Sequence, residues 1–166
     1  MQAIGRQPQR APDGAPIHYE RHRPEQTTLY CLVQQHGASF IAHTEASTGS
    51  ALPRFIKDEW WNGVAATSQA IWVDGDGGRV MSSNDDGQTW RSQPSGTQEN
   101  LYAVSFADAQ NGAAVGRRGT VIVTADGGAH WTARPLGLDT YLGAVHVDAS
   151  TIWIAGEGGL VASSPR

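Results

Sequence analysis

Between Leu101 and Ala107 apolar and polar residues alternate at period two, the spacing of a strand with one buried face. A turn at 108–112 follows, then a small-residue strand around Ala113 to Arg117, a tight turn at Arg118-Gly119, and the apolar run TVIVT from Thr120 to Thr124. After the turn ADGG, the segment HWTAR from His130 to Arg134 reads as a fourth strand. The same order recurs along the chain. Gly75, Gly116 and Gly156 stand 41 and 40 residues apart, as do Gly78, Gly119 and Gly159, and Val64, Val104 and Val145 keep step with them. Four short antiparallel strands in a unit of about 40 residues make a propeller blade. The pattern therefore predicts an all-β partial β-propeller with two complete four-stranded blades and one incomplete, in units of about 61–97, 98–138 and 139–166.

Upstream of Trp61 the pattern changes. Residues 1–24 are rich in Pro, Gln, Arg and Gly with few apolar side chains, which predicts a disordered leader. From Glu25 the spacing reads as helical: Leu29, Val33, His36 and Phe40 recur at intervals of three and four. Pro24 suits the first turn of such a helix, and Pro53 the start of a second short one over Arg54 to Glu59. The blades are accordingly expected to follow a short α-helical segment at 25–60.

Two units carry a common turn motif. In the first, Ser83, Asp85, Gly87, Thr89 and Trp90 are set at fixed offsets, and in the second Thr124, Asp126, Gly128 and Trp131 match them, with His130 where the first has Thr89. Each position has a physical reason. A hairpin between the third and fourth strands needs positive φ, which Gly87 and Gly128 supply without a Cβ clash. Asp85 and Asp126 can accept hydrogen bonds from the turn's own amides, and Ser83 and Thr124 can tie the strand end to the same turn. Trp90 and Trp131 bring the apolar area that a thin sheet needs to pack on its neighbour. The motif resembles the Asp-box, or bacterial neuraminidase repeat.

The sequence between the boxes extends the likeness. LYAVSFADAQNGAAVGRRGTVIVTADGGAHW is similar to the repeats of the photosystem II stability and assembly factor family, and the resemblance runs from about Trp61 to Arg166. It implies a seven-bladed, non-catalytic propeller that binds a protein partner, with arginines on one face used by photosynthetic members to contact it. Arg117 and Arg118 sit in a tight turn suited to such a patch. Residues 21–60, in contrast, resemble the extreme N-terminus of a rolling-circle insertion-sequence transposase with a zinc-binding region. That implies a chimeric chain joined near Trp60 and a transposase-derived, DNA-associated role as an alternative function.

Composition narrows the choices. The single cysteine, Cys31, cannot build a thiolate zinc site. Residues 61–166 carry six basic and ten acidic side chains within a formal net charge of −4, which disfavours binding to a phosphate backbone, so nucleic acid is an unlikely partner. No apolar run is long enough to span a bilayer and Met1 to Arg10 lacks a signal-type core, so the chain as written is expected to be cytoplasmic and off the membrane, although propeller relatives are usually exported.

Candidate chemistry reduces in the same way. Asp85 and Asp126 could be read as glycosidase acids of a sialidase-like, carbohydrate-active propeller, but that activity needs an arginine triad and a tyrosine nucleophile from several blades. The turn-holding role is favoured. His22, His36 and His43 lack a completing carboxylate or thiolate, and Asp74 to Gly78 lacks the spacing and bidentate Glu of a calcium loop. The expectation is a chain that is not an enzyme, with no catalytic, cofactor or metal residues, acting as a scaffold for an unknown protein partner. Because the third unit stops at Pro165-Arg166, where its Asp and fourth strand would follow, truncation and self-association that closes the ring between chains are also expected.

Overall fold

A computed structural model describes the strands Ile17–His22, Thr28–Gln35, Ala38–Glu45 and Ala51–Ile56 and the continuous stretch 60–166. The four strands just named, β1 to β4, form the first sheet. The second contains β5 (Trp61–Ala66), β6 (Ile71–Gly75), β7 (Val80–Ser83) and β8 (Arg91–Gln93). The third contains β9 (Leu101–Phe106), β10 (Gly112–Gly116), β11 (Val121–Thr124) and β12 (Thr132–Ala133). In the fourth, β13 (Leu142–Val147), β14 (Thr151–Gly156) and β15 (Val161–Pro165) pair in order. Each sheet is an antiparallel meander. The first strands adjoin along the inside, β1 against β5, β5 against β9 and β9 against β13. Meanders stacked with their first strands gathered inward are propeller blades.

The helix expected over 25–60 is replaced by strands. Leu32 stands opposite Ile41 and Ala42 opposite Pro53 in an unbroken ladder through β2, β3 and β4. The spacing was ambiguous in a definable way: Leu29 and Val33 are four apart, an interval that fits strand alternation as well as a helical turn. Tyr30, Cys31, Val33, Phe40 and Ile41 are strand-favouring types, and the sequence places a glycine, a poor helix former, within the supposed helix. Ile17–His22, inside the segment expected to be disordered, is also a strand. Among the described residues the only helical turns are the three short 3-10 turns between second and third strands, at Asp76–Gly78, Arg117–Gly119 and Glu157–Gly159.

Apolar side chains fill the seams between sheets. Ala65, Ala70, Trp72 and Val80 of the second sheet meet Leu101, Val104, Phe106, Ala114 and Ile122 of the third, with Trp131 packed alongside. Ala113, Val115 and Val121 of the third meet Leu142, Val145, Val147, Ile152 and Ile154 of the fourth. Trp61, Val64, Ile71 and Val73 cluster on the opposite face of the second sheet with Trp90 against them. Full burial of each large side chain contributes roughly 1.5–3 kcal/mol. The fourth sheet repeats the pattern with one face open: Trp153, equivalent in the repeat to Trp72, is 46% exposed where Trp72 is 1%.

Candidate functional site

The two Asp-boxes close the hairpins β7–β8 and β11–β12. In the first, the Ser83 hydroxyl donates to Asp85 Oδ1 at 2.8 Å and accepts the Gly87 amide at 2.8 Å. Asp85 also accepts the Thr89 amide at 2.8 Å on Oδ1 and the Thr89 hydroxyl at 2.6 Å on Oδ2. Asp86 and Gly87 both take positive φ, 58° and 81°, so the hairpin needs two left-handed residues, as type I′ turns do. The second box repeats this with Thr124 donating to Asp126 Oδ1 at 2.9 Å and accepting the Gly128 amide at 2.9 Å. Here His130 takes the place of Thr89: its amide reaches Asp126 Oδ1 at 2.9 Å and its Nδ1 lies 2.7 Å from Oδ2. The substitution preserves the clasp.

Hydrogen bonds set the chemistry of these acids. Those from the Thr89 side chain and amide hold Asp85 down at about 2. Those from the His130 amide and ring do the same for Asp126, also to about 2. A carboxylate with such a pKa holds no proton to donate near neutrality. The boxes also bind the neighbouring sheet. Gly127 O accepts Trp72 Nε1–H at 2.9 Å and Gln93 Nε2–H at 3.0 Å, both from the second sheet. Trp90 Nε1–H donates to Gly87 O at 3.2 Å, whereas Trp131 Nε1–H is buried without a partner.

The opposite face carries the 3-10 turns and the links between sheets. The middle residue of each turn is left-handed: Gly77 at φ 68°, Arg118 at 55° and Gly158 at 68°. Arg118 is thus a bulky residue in a conformation that its two counterparts fill with glycine. Both Arg117 and Arg118 are exposed, and Arg118 Nη1 pairs with Glu99 Oε1 at 3.4 Å. Arg118, Gly119, Leu136, Leu138 and Asp139 line a shallow hollow of about 370 Å³. Leu136, Leu138 and Tyr141 are large apolar residues exposed on the link between β12 and β13, and the Tyr141 ring stacks on Tyr102 at 4.5 Å. The sequence motif did not single these out. Only the two positive charges were visible there, because the link has no strand period to place its side chains.

Among the described residues no group of three or more His, Cys, Asp or Glu side chains is placed to hold a metal ion, and no helix is long and apolar enough to cross a membrane. His22, His36 and His43 lie outside the residues whose side chains are described.

Fold and turns together define an Asp-box repeat protein of the propeller class. Residues 94–165 match the family model described as photosynthesis system II assembly factor YCF48. Over 79 residues, 45% of this chain and 24% of the relative, the protein is 37% identical to the photosystem II assembly lipoprotein Ycf48 of Synechococcus sp. (strain CC9902). It is therefore similar, in its C-terminal half, to the photosystem II assembly factor-like propellers, and spans about a quarter of that relative's length. Among solved structures, YCF48 bound to D1 peptide superposes with a TM-score of 0.72 at 15% identity, covering 98% of this chain and 55% of that one. The GH74 enzyme of Niastella koreensis gives the same TM-score at 16% identity, covering 90% of this chain and 28% of that one. At such identities both show the fold alone. The YCF48 superposition takes in the strands β1 to β4 as well as the stretch 60–166, and the resemblance of 21–60 to a transposase finds no support in these similarities.

Proposed function

We propose that the protein is a non-catalytic scaffold that binds a protein partner through the face bearing Arg117 and Arg118. The observation that carries this is the left-handed Arg118, set where the equivalent turns have Gly77 and Gly158. A non-glycine residue held left-handed is uncommon, and such residues cluster at ligand clamps and switch regions, which supports a use for the side chain. Leu136 and Leu138 line the same hollow, exposed and apolar, and Tyr141 is exposed further along the link. Arginine and tyrosine beside apolar side chains is the composition of interface hot spots. The likeness to YCF48, whose structure holds a D1 peptide, supports an extended peptide as the element recognised. Calorimetric titration with D1 peptide tests the reading. Binding by the wild type that is lost in Arg117→Glu/Arg118→Glu, at an unchanged melting temperature, supports it, and equal binding by the variant sinks it.

A further inference from the structure

Near the end of β6, on the side that faces the third sheet, lies a carboxyl group with no access to solvent. Asp74 is 0% exposed, and neither Oδ1 nor Oδ2 has a hydrogen-bond partner. The surroundings are shaped for it. Its cross-strand neighbour is Gly63, where a Cβ would fall 2.1 Å from Asp74 Oδ1 and 3.1 Å from Ala103 Cα. In the third sheet the same cross-strand pair is Val115 with Ala103, and in the fourth Ala155 with Ala144. Only the second sheet couples a carboxyl with a glycine.

We propose that Asp74 is a proton-operated latch in the seam between the second and third sheets: protonated, it lets the sheets close on one another, and loss of the proton drives the seam open. An ionised carboxylate without donors is far costlier to bury than a neutral carboxyl. Among the described residues no compensating charge faces it. β5 presents Gly63, β7 presents Val80 as register partner, and β9 presents the Ala103 backbone. The nearest ionisable residues along the chain are engaged elsewhere, Asp76 by Asn62 Nδ2 and Arg79 by the Asp76 carbonyl and the Trp61 ring. Burial accordingly pushes the Asp74 carboxyl up to about 8. The sign follows from linkage. The closed seam keeps the proton and the opened seam releases it, so closure is strongest below the ordinary carboxylate range and weakens as pH rises to about 8, then levels. The latch stands whether or not a partner docks on the face that bears Arg117 and Arg118.

Hydrogen exchange read by mass spectrometry on peptides spanning β5, β6 and β9, corrected for intrinsic exchange, tests it between pH 5 and 8. The wild-type opening constant is expected to rise about tenfold per pH unit, one proton's worth. Asp74→Asn, and Asp74→Val with Gly63→Ala to copy the Val115–Ala103 pair, are expected to flatten that rise. A flat wild-type profile, or an equal slope in either variant, overturns the proposal. So does failure of both variants to fold, because a neutral side chain at 74 is what the closed seam requires.

Discussion

The indole of Trp72 lies flat on the ring of Phe106, with centroids 3.7 Å apart and planes 11° from parallel. Its Nε1–H also reaches Gly127 O in the Asp-box of the next sheet. One side chain of β6 thus fixes both the inner strand and the outer turn of the neighbouring blade. Trp72→Phe is expected to keep the stack and lose the hydrogen bond, at about 1 kcal/mol. Trp72→Ala removes both and leaves a cavity, at about 3–5 kcal/mol. Urea unfolding monitored by circular dichroism separates the two. Similar losses for both variants contradict the assignment.

The Asp-box acids govern the acid limb of stability. Their folded pKa of about 2 lies below the usual carboxylate value, so the hydrogen-bonded stabilisation is fully present above the unfolded value. It is lost as pH falls through the interval down to about 2. Asp85→Asn and Asp126→Asn are expected to lower the melting temperature at pH 6 and to reduce its further fall on acidification. A melting profile superimposable on the wild type from pH 6 to pH 2 rules this out.

Arg118 is expected to trade stability for binding. Replacing it with glycine relieves a left-handed conformation that costs a non-glycine residue about 1 kcal/mol or somewhat more. Arg118→Gly should raise the melting temperature while weakening peptide binding, and Arg118→Ala should weaken binding with no such gain. Equal melting temperatures for the two variants would mean that the strain is relaxed in solution.

Trp90 and Trp131 occupy equivalent places with unequal hydrogen bonding. Trp131→Phe removes a buried donor that has no partner, a defect worth about 1–3 kcal/mol, and this offsets the lost contact area. Trp90→Phe gives up a satisfied bond to Gly87 O. Chemical denaturation should rank Trp90→Phe as the more destabilising change, and the reverse order refutes the comparison.

How much of this was legible depends on where information is stored. The strands of 61–166 and their turns could be read from spacing, because each Asp-box acid makes its clasp within four residues. β12 is shorter than HWTAR suggested, since Trp131 packs toward the seam and leaves Thr132 and Ala133 in the ladder. The N-terminal sheet was missed because the four-residue interval from Leu29 to Val33 suits two periods, and only cross-strand pairing decides between them. Asp74 was weighed only as part of a calcium-loop candidate at 74–78. Its burial comes from Gly63 and the third sheet, which are distant in sequence. Leu136, Leu138 and Tyr141 fall on a link with no period at all.

Each of the four inner strands carries a register shift near its start, at Tyr19, Asn62, Tyr102 and Gly143. A bulge turns one residue out of the alternation that the core imposes. Asn62 uses that freedom to donate to Leu101 O at 2.7 Å across the seam, and Tyr102 uses it to stack on Tyr141 of the following link. The inner rim is therefore spelled one letter per repeat, by positions that lie outside the pairing of the ladder. Duplication of a unit adds a letter, and point mutation rewrites one, so the chemistry of the rim can change while the blades stay the same.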